Sequence, residues 1–306
     1  MRGMAPTDLP EEFALRAIEM HGDAGREWLA RLPLLLEEVA RRWSLTIGMP
    51  FRGLSYSYVC AVTTSDGMPA VLKIAIPDRE FLTGVEALRL FDGCGVVRLL
   101  DADPDLGALL LECLEPGTPL SSVSDDGEAI SIAVSVMRRL WRPVRAPAKV
   151  PSVADWAAGL GRLRERFGGG TGPLPGVLVE QAERLFADLL ATQGEHVLLH
   201  GDLHQDNILS AEPEPWLAID PKGVVGEPAY EVGALLRNHV LDAPDPRATT
   251  ERRVHQLAEE LGLDRARIVA WGFAQAVLSA WWSIEDHGPG WESSVACAEL
   301  LAEVGE

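Results

Sequence analysis

His200-Gly-Asp202-Leu-His-Gln-Asp-Asn207, followed by Ile208-Leu-Ser210, the breaker-rich Ala211-Glu-Pro-Glu-Pro215 and Trp216-Leu-Ala-Ile219-Asp220, decides the fold of this 306-residue chain. Two short apolar runs flank a turn that contains two prolines, which is the pattern of a β-hairpin. Pairing about that turn sets Asn207 nearly opposite Asp220. The apolar run 197–199 reads as a further strand that leads into the loop. An amide oxygen and a carboxylate so placed suit Mg²⁺, a hard cation that keeps several waters and needs only one or two protein oxygens where phosphates supply the rest.

The order H-x-D-x-x-x-x-N followed by a second carboxylate is the one phosphoryl transfer uses: an aspartate takes the acceptor hydroxyl proton, and an asparagine and a later aspartate hold metal against the phosphates of ATP. Here Asp202 is the candidate base, with Asn207 and Asp220 as candidate metal ligands. The short pattern alone is weakly specific; a carboxylate placed just after an apolar strand makes it much more so.

Such a site needs a cation for the phosphates. Residues 58–63 and 70–76 read as two strands about the turn Ser65-Asp66-Gly67, and Lys73 lies within the second. A lone lysine in an apolar run is costly to bury without an anion to pair with. The segment 78–92 reads as a helix with Phe81, Leu82, Val85 and Leu88 on one face, and it offers Glu80 and Glu86 as alternative partners for Lys73. Before the first strand, the loop with Gly53, Ser55 and Ser57 is placed to cover phosphate through backbone N–H groups and hydroxyls, although it is not G-x-G-x-x-G. Runs 96–100 and 108–111 read as further strands, the second entering Glu112-Cys-Leu114-Glu-Pro-Gly117. In a kinase layout the carbonyl of Glu112 and the amide of Leu114 would meet the adenine edge.

Taken together, Leu109-Leu-Leu-Glu112, His200-Gly-Asp-Leu-His204, Trp216-Leu-Ala-Ile-Asp220-Pro and Val225-Gly-Glu-Pro-Ala-Tyr230-Glu231 resemble the aminoglycoside phosphotransferase superfamily. Within it the chain is most similar to the streptomycin 6-kinase and hydroxyurea kinase branch, from about residue 25 to the C-terminus. The resemblance implies an α+β, two-lobed protein-kinase-like fold, with a helical cap and β-rich nucleotide lobe over 1–114 and a helical lobe with the acceptor site over 115–306. It implies ATP and Mg²⁺ as cofactors and transfer of the γ-phosphate to a hydroxyl of an aminoglycoside such as streptomycin. Hydroxyurea, or a metabolite of similar size, is the alternative acceptor. By the same resemblance Lys73 binds the α and β phosphates, and Glu231, at the start of a helix expected over 231–240, braces the catalytic loop and is expected with Asp202 to contact the substrate. The adjacent carboxylates Glu285 and Asp286 suit guanidinium or ammonium groups of a substrate.

Composition narrows the alternatives. There are 27 Lys and Arg against 46 Asp and Glu, a net charge of −19, which disfavours nucleic acid and anionic membrane and favours a cationic small molecule. The hydrophobic fraction of 47% supplies one large core or two modest ones. Cys60, Cys94, Cys113 and Cys297 are scattered without metal-ligand spacing, so no disulfide framework is expected. The first residues lack the apolar core of a signal peptide and no run reaches membrane-spanning length; a cytoplasmic monomer is expected. Gly201 replaces the arginine of a protein-kinase H-R-D, and the chain after Asp220 is too short for an activation loop, which argues against a protein kinase.

The remaining periodicity predicts helices over 11–20 and 25–43 before the strands, and over 128–140, 153–167 and 178–191 after them. Trp271, Phe273, Trp281 and Trp282 read as core.

Overall fold

The computed structural model describes residues 9–144, 149–288 and 290–305. Helix α1 (Glu11–Trp43) opens the chain and breaks at Gly22, whose φ of 57° and ψ of −127° are not helical, so the two expected helices are present in one run. Strands β1 (Thr46–Pro50), β2 (Tyr58–Thr63) and β3 (Pro69–Ile74) precede helix α2 (Arg79–Phe91), and β4 (Leu99–Asp103) and β5 (Ala108–Glu112) follow it. These five strands form an antiparallel sheet in the order β1-β2-β3-β5-β4.

The sheet is read most clearly on β3. Ala70, Leu72 and Ile74 are buried and alternate with partly exposed Val71 and Lys73, the period-2 signature of a strand with two different faces. The buried set packs with Phe13, Trp28, Leu32 and Val39 of α1. Lys73 therefore points away from that cap. Helix α2 begins at Asp78, whose side chain accepts from the Phe81 N–H at 2.8 Å, the standard satisfaction of a first-turn donor. Of the expected stripe Leu82 is exposed, and Phe81, Val85 and Leu88 with Phe91 join a second apolar cluster that continues into the C-terminal helices.

After β5 come α3 (Asp126–Leu140), β6 (Arg142–Pro143), α4 (Val153–Ala157), α5 (Gly159–Arg166) and α6 (Gly176–Ala191). Strands β7 (Val197–Leu199), β8 (Ile208–Ser210), β9 (Trp216–Ala218) and β10 (Val224–Gly226) carry the loops of interest, and α7 (Pro228–Glu231), α8 (Gly233–Arg237), α9 (Pro246–Leu261), α10 (Arg265–Glu285) and α11 (Trp291–Gly305) complete the chain. Strands β10, β7 and β6 form one small sheet and β8 pairs with β9. Helix α10 is the central post: Trp271, Phe273 and Trp281 on it are buried, with Trp271 edge-on to Tyr230 and Phe186. Trp282 is partly exposed.

Four expectations change. The helix expected over 153–167 is two short helices that meet at Ala158, because a capping box between Ser152 and Asp155 sets the first and Gly159 packs within 3.0 Å, at its notional Cβ, of Leu278. The strand expected over 96–100 starts at Leu99; Val96 and Val97 turn instead to Ala218, whose carbonyl accepts from Val97 N–H at 2.8 Å. The helix expected over 231–240 is α7 and α8, so Glu231 closes a short helix rather than opening a long one. Strand β1 was not expected. All four cysteines are unpaired, Cys60 and Cys297 buried. The expectation for residues 1–8 lies outside the described residues; among those described, no helix is long and apolar enough to cross a membrane.

Candidate active site

The β8–β9 hairpin pairs Ile208 with Ala218, Leu209 with Leu217 and Ser210 with Trp216. Continuing that register, the Ile219 N–H donates to the Asn207 carbonyl at 2.9 Å, which leaves Asp220 one residue beyond Asn207. Asp220 has φ +60°, a left-handed conformation that Asp and Asn tolerate better than other non-glycine residues. The Asn207 Nδ2 donates to the Asp202 carbonyl at 3.0 Å, so the amide nitrogen is committed to the loop and Oδ1 remains as its hard donor.

His200 joins the loop that carries Asp202 to the strand that leads into Asp220. It is fully buried, its Nε2 lies 2.8 Å from the Ile219 carbonyl and its Nδ1 lies 3.2 Å from the Asp202 N–H. The first partner only accepts and the second only donates, so the ring is the neutral Nε2–H tautomer. Burial pushes the imidazole down to about 4.

Glu231 braces the loop from below. Its carboxylate accepts the His200 N–H at 2.6 Å and the Gly201 N–H at 2.8 Å. Burial raises its carboxyl to about 7, against the opposing pull of the two amides. With 1% of its surface exposed, Glu231 has no face to offer a substrate; it is a bracing group, and the expectation of a substrate contact is corrected. Gly201 above it has φ +87°, and a Cβ there would fall 2.5 Å from the Trp156 ring, so only glycine fits this turn.

Lys73 reaches across the cleft from β3 and ion-pairs with Asp220. Burial works to raise the Asp220 carboxyl, but Lys73 and Lys222 outweigh it and hold the group well below the ordinary carboxylate range. Neither glutamate of α2 pairs with Lys73, which corrects the expectation for both. Glu80 instead accepts from Lys222 Nζ at 2.5 Å. Glu86 lines an outer cavity of about 540 Å³ with Arg79, Arg89, Lys149 and Asp155. The reason is the seat of α2. A Cβ on Gly223 would fall 2.6 Å from the Ala87 Cβ, and one on Gly84 3.0 Å from the Pro221 carbonyl. The helix thus packs on the tripeptide after Asp220, and its first turn is aimed at Lys222.

Asp202 is partly exposed at the cleft, with Arg237 Nη2 at 3.7 Å and His204 Nε2 at 3.8 Å. Gly53, Ser55 and Ser57 lie in the exposed loop between β1 and β2, and Gly53 has φ +72° with nothing within 4 Å of a notional Cβ. Glu112 ends β5; its Oε1 accepts the Arg98 N–H at 2.7 Å, so its side chain turns along the sheet while Leu114 follows, packed on the core. Beyond it, Gly117 N–H bonds the Ser210 carbonyl at 3.0 Å, tying the linker to the metal hairpin.

The acidic pair separates. Glu285 is held in a two-point pair with Arg162, at 2.7 and 2.8 Å, so the expected free carboxylate is already neutralised. Asp286 is exposed at the end of α10. Its carboxyl is raised, first by burial and then by Glu285 and Glu80, and is eased by His21 and Arg162. Sequence reasoning missed Lys222 and Arg237. A lysine two residues after the metal carboxylate, and an arginine ending the apolar Gly233-Ala-Leu-Leu-Arg237, were the available signals.

The donor set fits a hard cation. Among the described residues no three His, Cys, Asp or Glu side chains converge as a metal cage, while Asn207 and Asp220 could offer two oxygens beside Lys73, the number Mg²⁺ takes when phosphates and water complete its shell.

A β-rich lobe with a cleft lysine, set against a helical lobe with Asp202, Asn207 and Asp220, defines a two-lobed protein-kinase-like protein. Residues 42–287 match the family described as aminoglycoside/hydroxyurea antibiotic resistance kinase, and the chain belongs to that family. It is 36% identical over 299 residues to a streptomycin 6-kinase of Streptomyces glaucescens, covering 96% of this chain and 97% of that one. It is 35% identical over 301 residues to a hydroxyurea phosphotransferase of Kitasatospora aureofaciens, covering 97% and 86%. Among solved structures, aminoglycoside phosphotransferase APH(4)-Ia aligns with a TM-score of 0.63 at 12% identity, over 90% of this chain and 99% of that one. Choline kinase LicA from Streptococcus pneumoniae aligns with 0.61 at 11%, over 90% and 98%. At such identities these likenesses speak to fold alone.

Proposed function

We propose that this protein transfers the γ-phosphate of ATP to a hydroxyl of streptomycin or a closely similar cationic aminoglycoside. The observation that carries the reading is the convergence of Lys73, Asp202, Asn207 and Asp220 on one cleft, in a chain whose relatives over nearly its full length include streptomycin 6-kinases. Asp202 orients the acceptor hydroxyl and takes its proton as the oxygen attacks phosphorus. Lys73 holds the α and β phosphates, the Gly53–Ser55–Ser57 loop covers them, and the backbone of Glu112 and Leu114 receives adenine. Asn207 and Asp220 would hold Mg²⁺, which when bound neutralises charge on the β and γ phosphates. Glu231 and His200 keep the loop rigid, so that the Asp202 carboxylate need not reorganise during transfer.

The candidate carboxylates for a cationic acceptor are Asp202, which is partly exposed, and Asp286, which is exposed at the end of α10. Guanidinium groups of streptomycin suit such a wall. Hydroxyurea is the second reading, supported by the 35% identical hydroxyurea phosphotransferase. ADP release measured with each acceptor in turn distinguishes them: streptomycin-dependent release is expected, and release with hydroxyurea alone would transfer the proposal to the second reading.

A further inference from the structure

Lys222 occupies a place that the catalytic loop, metal hairpin and phosphate lysine leave unexplained. Its backbone N–H donates to the His200 carbonyl at 2.9 Å, which anchors the residue beside the catalytic loop. Its ammonium reaches Glu80 Oε1 at 2.5 Å, and the residue stands two positions after Asp220. It thus ties the segment after Asp220, and the loop that carries Asp202, to the first turn of α2.

We propose that Lys222 is a second phosphate-binding residue of this site, one that contacts the γ-phosphoryl group on its path from nucleotide to acceptor. The inference rests on the reading of the cleft as a nucleotide site. The group in transfer must pass between Asp202 and Asp220. Its negative charge there faces two carboxylates, and an ammonium held beside that passage, in addition to Lys73, offsets the repulsion. The covering loop, with Gly53 as its single glycine, offers fewer close backbone donors than a glycine-rich lid, which leaves more of the phosphate charge to side chains. The partner of Lys222 is also releasable. Glu80 keeps 65% of its side chain exposed, and a pair of that kind holds its lysine weakly. A flexible four-carbon stem then lets the ammonium move from Glu80 to phosphate oxygen.

The competing account makes Lys222 a strut that ties α2 to the segment after Asp220. The two differ in which nucleotide they affect. Calorimetric titration of the full-length protein with Mg-ADP and with non-hydrolysable Mg-AMP-PNP should give Lys222→Met a loss of about 10- to 100-fold for the triphosphate analogue, the worth of one charged hydrogen bond. Its ADP affinity should stay near wild type. Lys222→Arg should recover part of the difference, and Glu80→Gln should keep the preference for triphosphate over diphosphate. Equal weakening of both nucleotides in Lys222→Met, an unchanged preference, or the same loss in Glu80→Gln would overturn the assignment in favour of the strut. Wild-type protein that binds neither nucleotide would overturn the kinase reading itself, a result distinct from any of these.

Discussion

Lys73 on β3 and Asp220 after β9 form an ion pair across 147 residues of sequence, and through it the two lobes meet at the atoms proposed to handle phosphate and metal. The pair is a charge exchange waiting for ligand: phosphates would draw the ammonium and a divalent cation the carboxylate. Lys73→Ala should therefore weaken Mg-ATP binding by about 10- to 100-fold. Stability should fall by only about 1 kcal/mol or less, since Lys222 still compensates Asp220. Calorimetry and thermal unfolding read the two effects separately. A large loss of melting temperature with unchanged nucleotide affinity would make Lys73 structural.

Asp202→Asn should lower turnover by about 10²- to 10⁴-fold, the usual worth of a positioned base, with nucleotide affinity near wild type because the phosphates and adenine are held elsewhere. Single-turnover kinetics beside nucleotide titration is the check. Retained turnover would remove Asp202 from its role.

His200 predicts a pH dependence of stability. Burial pushes its imidazole down from 6.5 to about 4, so between those values the unfolded chain takes up a proton that the folded one refuses. The stabilising contribution is complete above about 6.5 and is lost as pH falls towards about 4, in all about 3 kcal/mol. Glu231, raised to about 7, works in the opposite sense below that pH. It is common to wild type and His200→Gln, so their difference isolates the histidine. Urea unfolding should show wild type losing more stability than the variant on acidification; parallel curves would refute the assignment.

The sequence carried the site further than it carried the partnerships. The convergence of Asp202, Asn207, Asp220 and Lys73 was legible because local spacing determines it: a hairpin register places two, a short loop the third, and a charge in an apolar strand marks the fourth. The partner of Lys73 was not legible. It depends on how α2 seats against Gly223, a packing of Gly84 and Ala87 on a distant turn that no helical period encodes. The same blindness hid the Arg162–Glu285 pair, which joins helices 123 residues apart, and the Lys222–Glu80 pair. Element boundaries shifted where tertiary contact overrode pattern, as at Val96, drawn to Ala218 instead of extending β4.

The acidic wall makes its own prediction. Asp286→Asn should raise KM for streptomycin several-fold and leave hydroxyurea kinetics alone. Glu285→Gln should act chiefly by freeing Arg162, with a stability change of about 0.2–1 kcal/mol. For a cationic acceptor kcat/KM should fall as ionic strength rises while kcat changes less. A KM for streptomycin indifferent to Asp286→Asn would place the cation site elsewhere.

The most direct measurement of the central claim is the fate of the γ-phosphate itself. Purified protein incubated with ATP labelled at the γ-phosphate, Mg²⁺ and streptomycin should yield ADP and streptomycin carrying one labelled phosphoryl group, seen by mass spectrometry, with Asp202→Asn giving almost none. Unmodified streptomycin at saturating nucleotide would contradict the account.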